Sequence, residues 1–202
     1  QEGVLKNTDF SRIAIRANVN AKPISKLTIS ANITASKADA NVAPPGIIGS
    51  LLIMPPTATI YEPDGSYTLR NPFENIFANP IAALKETRNK LSTIRFLGTG
   101  YAEYELVKGL KAKVLLGTDV NNDKEKYYVP STIYEGATTE GQASLGNATT
   151  YSWLNENTLT YSKELGKNSL TALVGFTQQE SANERFTTGS QAFVTDDLSY
   201  NN

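Results

Sequence analysis

The chain repeats one unit: two segments in which apolar and polar residues alternate with period two, joined by a short link. Alternation of that period sends successive side chains to opposite sides, so each segment reads as a strand with one apolar and one polar face. In Arg12–Asn20, Ile13, Ile15, Ala17 and Val19 share one face, and Arg12, Ala14, Arg16, Asn18 and Asn20 share the other. After a link closed at Lys22 and Lys26, Leu27, Ile29, Ala31, Ile33 and Ala35 alternate with Thr28, Ser30, Asn32, Thr34 and Ser36. The second unit sets Ile94, Phe96, Ala102, Tyr104 and Leu106 against Arg95, Thr99, Tyr101, Glu103 and Glu105. Gly98 and Gly100 fall on its apolar side, and Leu97 falls on its polar side. Beyond Val107-Lys108-Gly109, Leu110, Ala112, Val114, Leu116 and Val120 alternate with Lys111, Lys113, Gly117, Asp119 and Asn121. In the third unit Trp153, Leu159 and Tyr161 oppose Glu156, Thr158 and Thr160, with Asn155 and Asn157 interrupting the apolar face. Leu170, Ala172, Val174 and Phe176 follow a turn over Lys163–Asn168.

The predicted hairpins span about 10–36, 93–121 and 151–180, which gives an all-β antiparallel meander of about six strands. The connections between them, about 37–92 and 122–150, are long and polar, and 187–202 looks like the start of a third. Within the first, Gly46–Met54 predicts a helical turn stopped by Pro55-Pro56, and Asn79-Pro80 predicts a short helix over Ile81–Lys90. Each hairpin is thus short at one end and long at the other. That asymmetry is the pattern of outer-membrane barrels, which have short periplasmic turns and long extracellular loops. The charged faces fit either a solvent-facing surface or a wet barrel lumen. The apolar residues carry the distinction. In a barrel, Ile13, Ile15, Leu27, Ile29, Val114, Leu116, Leu170 and Val174 face lipid as one band. In a soluble β-sandwich that binds sugars or proteins, they converge under a second sheet.

Composition removes much chemistry. There is no cysteine and no histidine among the 202 residues, so thiolate, Ser-His-Asp and His-ligated metal chemistry are excluded from this segment. With 19 basic and 20 acidic residues the net charge is -1, which offers no excess of positive charge for nucleic acid. The longest apolar stretch, Ile47–Met54, falls well short of the roughly 20 residues of a membrane-spanning helix.

Several stretches in order carry a family resemblance: Leu51–Tyr67, the Asn79-Pro80 helix, Phe96–Lys113, Tyr127–Thr132, Ser152–Tyr161 and Leu165–Gln179. Together they resemble the SusC/RagA family of TonB-linked outer-membrane transporters of Bacteroidetes-type bacteria. The resemblance implies a segment of a plugged transmembrane barrel of about 22 strands, with long extracellular loops that carry short helices. It implies import of glycans, or in some members peptides, under a SusD-type surface lipoprotein, energised through TonB. The plug domain and the TonB box are expected to lie outside these residues. No enzymatic activity and no cofactor is implied.

Candidate contacts to nutrient or lipoprotein are the aromatics of the long connections: Tyr61, Tyr67, Phe73, Phe77, Tyr127, Tyr128 and Tyr134. Aromatic faces beside amides and carboxylates suit sugar stacking, and they equally suit packing the loops together. Arg12, Arg16, Glu103, Glu105, Lys111 and Lys113 are expected to face the lumen. Glu103 and Glu105 stand about 7 Å apart on one strand face, within the span of paired glycosidase carboxylates. Charge pairing with Lys111 and Lys113 on the next strand is the simpler expectation. Asp119–Glu125 offers alternating oxygens but lacks the Gly and the closing Glu of a calcium loop, so no metal is expected.

Overall fold

The computed structural model describes residues 1–69 and 78–201. Phe73 and Phe77 lie outside the described residues. Six strands follow one another in a single antiparallel sheet, each paired with its sequence neighbour. They are β1 (Asp9–Ile24), β2 (Leu27–Asn41), β3 (Arg88–Val107), β4 (Leu110–Val129), β5 (Gln142–Leu165) and β6 (Asn168–Gln191). All three hairpins close through two-residue turns, at Ser25-Lys26, Lys108-Gly109 and Gly166-Lys167. Gly109 (φ 85°) and Gly166 (φ 66°) take the left-handed conformation that such tight turns demand.

The register keeps the two faces separate across the whole sheet. Ile33 lies opposite Ala17 and Gly98, Ala35 opposite Ile15 and Phe96, and Val120 opposite Phe96 and Tyr151. One face is therefore apolar from β1 to β6. Among the described residues there is no second sheet over it. Ile13 is 75% exposed, Leu116 58% and Val174 72%. The described residues supply no second sheet of the kind the soluble-sandwich alternative expected over this face.

The apolar band has a limited height. It runs over Leu27–Ala35 on β2, Ala112–Val120 on β4 and Leu170–Phe176 on β6. A tilted strand needs about 9–11 residues to cross the hydrocarbon layer. Beyond that height the same face turns polar: Lys37 and Asp39 on β2, Ser92 and Lys90 on β3, Asn122, Lys124 and Lys126 on β4. Asn155 and Asn157 sit within the band on β5, where Asn157 Nδ2 donates to Asn155 Oδ1 at 3.1 Å.

Successive hairpins are staggered. Leu27, the first residue of β2, pairs with Tyr104, which is 3 residues short of the end of β3 at Val107. Leu110, the first residue of β4, pairs with Tyr161, which is 4 residues short of the end of β5 at Leu165.

The strands run further from the short turns than the alternation indicated. The connection expected over about 122–150 shrinks to 130–141, β3 already begins at Arg88, and β6 reaches Gln191. The reason is chemical: past Val120 both faces are polar, as Asn121, Asn122, Asp123 and Lys124 show, so the period-two signal disappears while the backbone ladder continues.

Helix α1 (Ile47–Ile53) ends before Pro55-Pro56. Helix α2 (Pro80–Glu86) is capped by Asn79, whose Oδ1 accepts from Ile81 N at 3.1 Å and Ala82 N at 3.2 Å. It stops short of the expected Lys90 because the β3 ladder claims the chain from Arg88. Helix α3 (Tyr134–Ala137) lies between β4 and β5. Ile47, Ala83 and Leu84 form one buried cluster of this long-loop end; Ala82, Val129 and Ile133 form a second.

Candidate functional site

Two regions gather functional chemistry: the polar face of the sheet and its long-loop end. Arg12, Arg16, Glu103, Glu105, Lys111 and Lys113 share the polar face, since Arg16 lies opposite Thr34, Glu103 opposite Thr28 and Lys113, and Glu105 opposite Lys111. Lys111 Nζ reaches Glu103 Oε1 at 3.2 Å. Lys113 Nζ stands 4.5 Å from the centre of the Tyr101 ring. Glu105 Oε1 accepts from Gly109 N at 3.1 Å and so tethers its turn. Both carboxylates thus have ordinary partners, and neither is left facing an open cleft as a glycosidase pair would be.

A second charged row lies further along the same face and was missed in the sequence. Arg95 Nε and Nη2 donate to Asp119 at 3.0 and 2.7 Å. Thr93 and Asn121 both donate to Asp123, each at 2.6 Å. The alternation of Arg95, Asp119, Asn121 and Asp123 was the available signal. These residues lie within strands, so Asp119–Glu125 is extended chain and its oxygens do not curl around a common centre. Exposed ion pairs contribute only about 0–1 kcal/mol each. The charges therefore add little to stability and mainly keep this face wet.

At the long-loop end, Tyr61 and Tyr67 pair, with ring centres 5.3 Å apart. Lys85 Nζ donates to Tyr61 Oη at 2.6 Å, and Tyr67 Oη donates to Glu86 Oε1 at 2.9 Å. Burial, and then the Glu86 carboxylate, push the Tyr67 hydroxyl up to about 12, so it stays protonated and donating. Tyr67 and Tyr127 pack on the Ala82–Val129–Ile133 cluster. Tyr134 opens α3 and is half-buried. Tyr128 points to the other side of β4 and is 2% exposed, so it does not join the other tyrosines.

What covers Tyr128 is the segment after β6. Phe193 meets its ring at 5.7 Å between centres, and its hydroxyl donates to Asp196. Asp196 also accepts from Ser131 N at 3.1 Å and Ser131 Oγ at 2.7 Å. Burial pushes the Asp196 carboxyl up, but the bonds from Ser131 and Tyr128 outweigh it and hold the group below the ordinary carboxylate value. A depressed folded-state value means the latch contributes fully above the unfolded value near 3.9 and is lost as pH falls through the lower folded value. Pepsin should therefore spare residues 193–200 at pH 4.5 and cut them progressively as the pH is taken below the ordinary carboxylate value. D196A should expose them throughout, since each bond to a charged group is worth about 1.5–3 kcal/mol. Release of the native segment already above pH 5 would contradict this latch.

No protein-family profile matches the chain. TonB-dependent receptor P3 of Formosa agariphila is 30% identical over 100% of this chain. The chain resembles TonB-dependent transporters along its whole length. TonB-dependent receptor P26 of the same organism is 28% identical, again over 100% of the chain. The segment spans about a fifth of these curated relatives, 21% of each. Among solved structures, the RagAB peptide importer in its closed-closed state superposes with a TM-score of 0.77 at 20% identity, over 95% of this chain and 22% of that one. Its open-open state gives 0.76 at 21% identity, over 95% of this chain and 22% of that one. The six-stranded meander thus has the fold of part of a RagA-type barrel, as the SusC/RagA resemblance implied. The relatives named are receptors and importers rather than enzymes.

Proposed function

We propose that the segment forms six consecutive strands in the barrel wall of a TonB-dependent transporter of the cell outer membrane. The observation that supports this most is the uncovered apolar face, of membrane-crossing height on β2 and β4, backed by a charged face. In lipid an unpaired strand edge is untenable. The free edges of β1 and β6 would be paired by neighbouring strands of the parent barrel. Arg12, Arg16, Glu103, Glu105, Lys111 and Lys113 then line the aqueous lumen. The long connections face outward from the cell, where a SusD-type lipoprotein would cover them. Tyr61, Tyr67, Tyr127 and Tyr134 are the contacts we assign to that lipoprotein or to the nutrient, a glycan or a peptide. Coupling to TonB would use parts of the parent outside this segment.

The test uses the full-length parent with any cysteines elsewhere removed. The segment itself has none. A fluorophore at I15C should be quenched by lipids brominated on their acyl chains and ignored by aqueous iodide. A fluorophore at R16C, one residue on and on the opposite face, should show the reverse. Iodide quenching at both sites would sink the barrel reading.

A further inference from the structure

We propose that the outer face just above the apolar band is a docking surface for the phosphate groups of outer-leaflet lipid headgroups, held by Lys90, Lys124 and Lys126. This rests on the barrel reading above. Lys90 lies directly opposite Lys126, and Lys124 opposite Ser92, on the same face as the lipid-height residues Ile94 and Val120. Like charges placed directly opposite each other across a strand pair work against folding. An anion shared between them would relieve that repulsion. All three side chains are exposed. No carboxylate among the described residues lies within ion-pair distance of any of them.

The acidic neighbours are already engaged. Asp39 pairs with Lys37 at 3.2 Å and accepts from Ser92 Oγ at 2.7 Å. Asp9 accepts from Asn41 Nδ2 at 2.5 Å. Asp9, Asp39, the three lysines and Tyr200 rim one open hollow on this face. Lys126 Nζ stands 5.1 Å from the centre of the Tyr200 ring, which holds it over the hollow.

The height fits a headgroup. Lys124 is four residues past Val120 and Lys90 four residues before Ile94, each about 13 Å along the strand. On a strand tilted by about 45° that is roughly 9 Å above the hydrocarbon edge. Lysine stems bend back toward an interface, so the ammonium groups reach the headgroup layer. The short turns, by comparison, lie at the opposite edge of the band.

The experiment compares the full-length parent with its K90Q/K124Q/K126Q variant, both reconstituted in phosphatidylcholine nanodiscs doped with lipid A or with dephosphorylated lipid A. Lipid retained on the protein is read by native mass spectrometry. The parent should keep phosphorylated lipid A at least about tenfold better than the dephosphorylated form, and the variant should lose that preference. K111Q, on the lumen face, should keep it. Millimolar inorganic phosphate should not displace the lipid; displacement would mean that a free phosphate site, and not a headgroup site, had been found. Equal retention of the two lipids by the parent, or unchanged preference in the triple variant, overturns the inference while the barrel stands. Failure of the parent to enter nanodiscs overturns both.

Discussion

Arginine in place of Leu116 should cost about 2–4 kcal/mol of folding free energy in a bilayer, whereas arginine one residue earlier, at Leu115, should cost close to nothing. Leu116 stands at the middle of the Ala112–Val120 band on the apolar face, between Gly100 and Asn155. Among the described residues nothing covers it, so in lipid a charge there has no water and only the Asn155 amide beside it. Leu115 is on the other face, opposite Tyr101 and Glu156, where a guanidinium meets water and a carboxylate. Urea titration of the parent refolding into short-chain phosphatidylcholine vesicles measures both. Equal costs at the two positions would rule out lipid contact at Leu116.

G136A should open the cap between β4 and β5 at a cost of about 3 kcal/mol. A methyl group at this position would lie 2.2 Å from the Pro130 carbonyl oxygen, 2.8 Å from its carbon and 3.1 Å from the Val129 oxygen. All three are backbone atoms, so no side chain can swing aside. The cap depends on this close approach: Gly136 N donates to Ile133 O at 3.1 Å, and Gly141 N donates to Gly136 O at 2.9 Å. Val129 and Ile133, both at 0% exposure, would lose their packing. Hydrogen exchange over residues 129–142 in the membrane-embedded parent should rise sharply, while insertion of the barrel is retained. Unchanged protection there would show that the cap has room that the structure does not contain.

The hairpins and their two faces were legible because Ile13 to Val19 and Leu110 to Val120 alternate cleanly, and alternation depends on the strand alone. Strand ends were not legible. Past Val120 both sides of β4 are polar while its backbone ladder continues, so Asn122 and Lys124 look no different from loop residues. The third hairpin was obscured by Asn155 and Asn157, whose mutual hydrogen bond is invisible in a list of residues. The capping role of Asn79 could be read from its place before Pro80. The latch on Tyr128 could not, because Asp196 lies 65 residues from Ser131 and 68 from Tyr128, and nothing in either neighbourhood announces the other. Parity along β4 does set Tyr127 and Tyr128 on opposite sides. Grouping them as one set of loop contacts overlooked that arithmetic.

The stagger between hairpins fixes more than a register. Each short turn sits 3 or 4 residues lower in the ladder than the one before it. That is about 10–13 Å along the strand for two strand spacings of about 4.8 Å each. If the turns share one plane at the membrane surface, the strands must lean by about 45–55°, at and above the upper end of the roughly 35–45° lean of transmembrane barrels. A leaning wall cannot close as a simple cylinder of upright staves. Its hydrogen-bonded rows climb as they go round, like the thread of a screw, and the pitch of that thread together with the number of strands determines the bore. Six strands therefore already set the pitch of a pore that the rest of the wall must match in order to close.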